Sequence, residues 1–225
     1  IHMNDIQTFV LLPFLCSGLT YWGLSGFWFI LDVFLAPRHR IPGGEIIDWS
    51  LYQKTAKHVL TIQSITPVIL YAMIPLWKSY QIETQLSTLF TKGNGLKLCI
   101  CPYVSDVVFY ITHRICHIGA LYTNVHKKHH EWVVPCALAA SYTTIYEFVF
   151  CNLPVFLLPP LILKLHWIGA QLWFVFATIH VVNDHSGYVF LKNSIHHSDH
   201  HKYGKYNFAT PELDTLLQTK KRHVD

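Results

Sequence analysis

Ten of the sixteen histidines in this chain form four short groups between His113 and His201. These are His113 with His117, His126 with His129 and His130, a lone His185, and the run His196-His197-Ser198-Asp199-His200-His201. A neutral imidazole nitrogen is a metal ligand, and residues three or four apart on a helix share one face. The spacing therefore predicts that His113 and His117 converge, as do His126, His129 and His130, and likewise His197, His200 and His201. With His185 they make nine candidate ligands. A tetrahedral site takes four, so nine predict two metals, each holding several imidazoles and leaving room for a substrate or oxygen.

Spacing does not name the metal, because imidazole suits iron, zinc, copper and nickel alike. A zinc hydrolase would need a carboxylate base beside an open metal position. The chain contains no His-Glu-x-x-His, and nine imidazoles favour redox chemistry over hydrolysis. A metal transporter would carry its histidines within its membrane spans, whereas these follow the apolar runs.

The elements that must position the histidines are apolar. With 225 residues the chain fits one domain, and 13% charged residues against about 25% in a typical soluble domain point to lipid. Phe9 to Ala36 exceeds the ~20 residues a spanning helix needs. Glu45 to Lys57 reads as a short interfacial helix with Trp49 and Tyr52 at headgroup depth. Further apolar runs cover Val59 to Trp77, with Pro67 and Pro75 inside it, and Leu98 to Thr112, which delivers the chain to His113. Ile145 to Leu163 and Leu165 to Val182 form a hairpin that is either two spans or re-entrant. The opening shows no basic stretch with a cleavage site, so no removable signal peptide is expected, and Ile1-His2-Met3 reads as a trimmed start.

If the runs are five spans, residues 37–58, 113–144 and 183–225 share one side. That side holds thirteen of the seventeen Lys and Arg, leaving only Lys78, Lys92, Lys97 and Lys164 on the other. The positive-inside tendency places the histidines in the cytosol. The net charge of +4 fits an anionic membrane surface rather than nucleic acid, because the aromatics lie in apolar runs and not in a basic stripe. The six cysteines form no Cys-x-x-Cys pair and read as small core residues. Asp106 is expected either to orient a ligand imidazole or to pair with Arg114. Asp32 and Glu147, inside apolar runs, are expected to have structural partners.

The order His-x-x-x-His, His-x-x-His-His, a lone His before Ser-Gly-Tyr, then His-x-x-His-His resembles the fatty acid hydroxylase superfamily, from about Arg38 to Thr219. His126 to Trp132 with Pro135, and Asp184 to Tyr188, look most like its methylsterol monooxygenase branch; Tyr203 to Phe208 is similar to sphingoid-base hydroxylases. The family's closing Trp-Asp-x-x-x-Gly-Thr is altered here to Leu213-Asp214 and Gln218-Thr219. Some relatives place a further histidine one turn before the lone one. His180 is five residues from His185, about 140° round a helix, and is expected beside the ligands and not among them.

The resemblance implies an all-α integral membrane protein with about four to five transmembrane helices and a cytosolic histidine-rich metal-binding cap. It implies residues 1–97 as membrane helices and loops, 98–219 as a di-iron catalytic region and 220–225 as a basic tail, in one structural domain. The implied ligands of two non-haem irons are His113, His117, His126, His129, His130, His185, His197, His200 and His201. The implied reaction is O2-dependent hydroxylation of a membrane lipid, a C-4 methylsterol first and a sphingoid base or fatty acid as the alternative. Electrons would come from cytochrome b5 and an NADH-linked reductase at the endoplasmic reticulum membrane. A lipid-binding relative that has lost catalysis would be expected to lack some of these ligands.

Overall fold

The computed structural model describes residues 4–35, 37–44, 46–90 and 93–221; the expectations that touch residues 1–3, Ala36, Glu45, Lys92 and Arg222 lie outside them. All five apolar runs are helical. The principal helices are α1 (Leu12–Ile30), α2 (Trp49–Ala72), α3 (Ile74–Ser79), α4 (Asn94–Cys116), α5 (Leu153–Ile162), α6 (Trp167–Asp184), α7 (Lys192–Tyr203) and α8 (Pro211–Leu216). Among the described residues the only extended pairing is a bridge between Arg40 and Tyr188.

Three helical stretches are long and apolar enough to cross a membrane by length and composition: Gln7–Phe34, Asn94–Cys116 and Ile145–Ile162. The other two runs are helical but more polar. The 18 residues of α6 reach about 27 Å, while Gln171, His180, Asn183 and Asp184 dilute its hydropathy. α2 corrects the expectation of a separate interfacial helix. The chain is one helix from Trp49 to Ala72, started by Asp48, whose carboxylate accepts from the Leu51 amide at 2.9 Å. No Gly or Pro lies between Trp49 and Val59 to stop it. The break comes at Met73, just before Pro75 at the start of α3.

α1 packs along α6 and α4 along α5, with α6 touching both α4 and α5. One core cluster includes Phe9, Leu70, Trp77, Leu157, Leu161, Trp173 and Phe174; a second, nearer the histidines, includes Tyr21, Trp28, Val59, Trp132, Leu138, Tyr142 and Tyr188. Polar aromatics tie the second cluster together. Tyr21 donates to the Leu138 carbonyl at 2.6 Å, Trp28 to Asn183 Oδ1 at 2.9 Å, and Trp132 to Thr55 Oγ1 at 2.9 Å. Large apolar side chains stay exposed along the spans, among them Leu19, Tyr103, Val107, Ile111 and Phe150, a surface suited to lipid and not to water. All six cysteines are free; four are buried, as expected of core residues, whereas Cys16 is half-buried and Cys99 is exposed.

Candidate metal centre

His113 occupies the last turn of α4, and His117, four residues on, caps it. His126 ends a π-helical turn, Tyr122–His126, and His129 and His130 open a 3-10 turn, His129–Glu131. His185 caps α6, and His197, His200 and His201 lie on α7. These nine side chains meet in two groups: His113, His117, His126, His130 and His200 in one, His129, His185, His197 and His201 in the other. Within each group the potential ligand atoms lie within 4.8 Å of one another.

The division corrects the expectation that each trio points one way. Successive residues on a helix diverge by about 100°. His129 and His130 therefore aim into different groups, and so do His200 and His201. A His-x-x-His-His run builds parts of two sites because its last two residues are adjacent.

Main-chain carbonyls orient the rings. Nδ1 of His113 lies 2.6 Å from the Phe208 carbonyl, that of His200 2.7 Å from Tyr206, that of His185 2.7 Å from Val181 and that of His201 2.8 Å from Trp132. His130 Nδ1 lies 3.2 Å from the His201 carbonyl. A carbonyl can only accept, so Nδ1 carries the proton and Nε2 keeps its lone pair. Within each group Nε2 atoms crowd together: His113 and His126 at 3.1 Å, His126 and His130 at 3.0 Å, His129 and His185 at 3.2 Å, His185 and His197 at 2.9 Å, His197 and His201 at 3.1 Å.

This donor set fits metal ions. Two ligands at right angles, each ~2.1 Å from one ion, stand about 3.0 Å apart. Nε2 of His117 and of His200 is buried without a hydrogen-bond partner; a cation would satisfy such lone pairs. Burial, reinforced by neighbouring imidazoles, pushes His117 down to about 2 and holds His126, His129, His197, His200 and His201 well below the usual histidine range. Burial also takes His185 down to about 4 and lowers His130. The rings are neutral near pH 7, the state that ligates.

Other polar residues fall into place around them. His180 lies outside both groups, 3.3 Å from Asp184. Asp106 meets neither of its expected partners; it accepts from the Thr210 amide at 3.1 Å and from the Thr210 hydroxyl. Arg114 instead stacks over the Phe208 ring. Asp32 has the structural partner expected of it, the buried guanidinium of Arg40, which also reaches the Gly44, Pro135 and Ser186 carbonyls.

Glu147 differs from its expectation. Its Oε1 lies 2.9 Å from Nδ1 of His126, close enough for an ion pair though not aligned as a hydrogen bond, and its Oε2 has no hydrogen-bond partner. The sequence signal was there, a carboxylate in an apolar run, but its neighbour is known only once the Ile145–Glu147 turn packs on the Tyr122–His126 turn. Asp214 is a second residue whose role was not read. Burial disfavours its charge, yet His196, Thr219 and the Ala209 and Phe208 amides all bind it and hold its carboxyl below the usual range. It thereby fixes the segment whose Phe208 carbonyl orients His113. The altered closing pattern around Asp214 and Thr219 was the available clue.

A cavity of about 350 Å³ runs between α1, α2, α4, α5 and α6 and ends at the histidines, with His113, His126, His129, His185 and His197 in its wall. Its remaining lining is mostly apolar, including Phe14, Leu70, Phe109, Phe156 and Trp173.

The sequence profile described as fatty acid hydroxylase matches residues 98–219. Fatty acid hydroxylase domain-containing protein 2 of Homo sapiens is 29% identical over 195 residues, covering 81% of this chain and 58% of that protein. A fatty acid hydroxylase of Mycosarcoma maydis is 31% identical over 171 residues, covering 73% and 43%. Methylsterol monooxygenase 2-2 of Arabidopsis thaliana is 26% identical over 245 residues, covering 98% and 88%. The chain thus spans less than two thirds of the human and Mycosarcoma relatives. No solved structure matches it.

Proposed function

We propose a function for this chain from one premise: it belongs to the fatty acid hydroxylase family. The chain is a membrane-bound, O2-dependent lipid monooxygenase, and its nine histidines hold two irons. The observation that carries this reading is the meeting of nine buried or half-buried imidazoles, in groups of five and four, at the end of an apolar cavity. Bound iron would supply the oxidising power to insert oxygen into an unactivated C–H bond, a step beyond ordinary side-chain chemistry. The balance is R–H + O2 + 2 electrons + 2 protons giving R–OH + H2O, with the electrons passed from NADH through a reductase and cytochrome b5.

The chain's own part is orientation and exclusion. Carbonyls of Phe208, Tyr206, Val181, Trp132 and His201 hold the ring tautomers. The apolar lining keeps water from the acyl chain or sterol ring and leaves one carbon facing the histidines. The His126 to Trp132 stretch and the methylsterol monooxygenase relative support a C-4 methylsterol as substrate. Tyr203 to Phe208 resembles sphingoid-base hydroxylases, but in this fold the stretch supplies the Tyr206 and Phe208 carbonyls that orient His200 and His113. None of its residues lines the cavity. Its resemblance therefore speaks to the scaffold of the histidines more than to the substrate. The charge bias of the loops supports the cytosolic face of the endoplasmic reticulum as the location of the histidines.

The test gives membranes containing the chain NADH, 18O2 and either a 4-methylsterol or sphinganine. The expected product is a labelled hydroxymethylsterol. Turnover of sphinganine alone would sink the sterol assignment, and turnover without oxygen would sink the reaction class. In the same membranes a glycosylation acceptor inserted at residue 124 should stay unmodified; its modification would reverse the sidedness.

A further inference from the structure

The charge pattern of the cavity bears on what can enter it, an inference that rests on reading the histidines as a lipid-oxidising site. The chain has seventeen Lys and Arg, yet no described Lys or Arg lines this cavity. Besides histidines, its ionisable lining is Asp106, Glu147, Asp184 and Tyr21. The exposed lining residues are Phe176 and His180, both on α6, so the cavity opens beside that helix. Asp184 lies one turn beyond His180, and Asp106 lines the cavity from α4, where it accepts from Thr210. Uncharged Gln63, Thr66, Asn152 and Asn193 and several serine and threonine hydroxyls make up the rest of the polar lining.

Five of the cations have partners outside the cavity. Lys54 pairs with Glu131, Lys128 with His58, Lys221 with Asp199, and Arg114 lies over Phe208. The buried Arg40 is occupied by Asp32 and three carbonyls. A carboxylate, sulfate or phosphate carried into the cavity would lose water, meet the carboxyl groups of Asp106 and Asp184 and find no Lys or Arg among the described lining residues. A hydroxyl or ammonium can instead donate to a carboxylate or amide oxygen.

We propose that this cavity admits lipids whose polar end is a hydrogen-bond donor without negative charge and rejects lipids whose polar end is an anion. The selection lies in the lining of α4 and α6 and not in the metal groups.

The test measures binding and not turnover, so it stands or falls separately from the reaction. The full chain in nanodiscs is loaded with a radiolabelled 4-methylsterol and challenged with matched competitors: the same sterol, its 3-sulfate, sphinganine and stearate. At least one donor lipid, sterol or sphinganine, should displace the label at a concentration ten or more times lower than the sulfate and stearate need, and the pair identifies whether hydroxyl or ammonium is preferred. Asn193→Lys, which places a cation in the lining, should narrow the ratio of sterol to sterol sulfate at least threefold; Asp184→Asn should narrow it in the same direction. Equal displacement by sterol and sulfate in the unsubstituted protein would overturn the proposal. So would an unchanged ratio in Asn193→Lys. A preserved ratio in a protein that fails to hydroxylate would leave the charge selection standing and remove the oxidation.

Discussion

His129 and His130 show what residue-level reading can and cannot reach. Their identity and spacing mark them as ligand types, but which group each joins depends on where α7 and the His185 turn approach. Glu147 makes the same point more sharply. With Oε1 2.9 Å from His126 Nδ1, the carboxylate favours a proton on Nδ1 and leaves Nε2 to face His113 and His130. Loss of such a partner typically weakens metal affinity about 10–100-fold. Glu147→Gln keeps the shape and removes the charge, so metal should leave it at a correspondingly lower chelator concentration, as followed by elemental analysis after dialysis. Retention equal to that of the unsubstituted protein would mean that the contact does not orient the ring. The nine histidines were legible because imidazole pairs at helical spacing are a chemical signature. Glu147 and the Phe208, Trp132 and His201 carbonyls were not, since their partners come from other parts of the chain; Asp214 and the Val181 and Tyr206 carbonyls act mostly on near neighbours, but such main-chain contacts leave no mark in residue type.

At the scale of elements, the apolar runs predicted helices and the structure has them, but their joints follow local chemistry that hydropathy does not register. α2 absorbs the expected interfacial helix because nothing in Trp49 to His58 stops it. The turn after α1 docks on the His185 loop: the Ile41 amide donates to the Gly187 carbonyl at 2.7 Å and the Val189 amide to His39 at 3.0 Å. Gly187 sits at φ +75°, where a Cβ would stand 2.6 Å from the Pro135 carbonyl and 2.9 Å from Arg40 Nη2. Only glycine fits that approach. Gly187→Ala should cost about 1–3 kcal/mol through backbone strain alone, and more if Arg40 is displaced from buried Asp32. Because His185 is two residues away, the midpoint of unfolding and the metal content should fall together. A variant with an unaltered thermal midpoint would show that this joint is not tight.

For the whole molecule, three stretches reach spanning length and hydropathy, and α2 and α6 complete the bundle beside them. The expectation of about four to five spans rests on apolar runs. Their unequal polarity has a structural counterpart in α6, where His180 and Asp184 line the cavity, as Gln63 and Thr66 do on α2. The uneven distribution of Lys and Arg and the clustering of all nine histidines at one end of the bundle are consistent with a single catalytic face, which the cavity reaches between the helices. On this account the bundle positions two metal ions, one per group, and the adjacent pair His129-His130 divides between them. The most direct test is the number of iron atoms per purified, reconstituted full chain. Two are expected in the unsubstituted protein, with one retained in His129→Ala and one in His130→Ala; a value of zero or one in the unsubstituted chain would contradict the account.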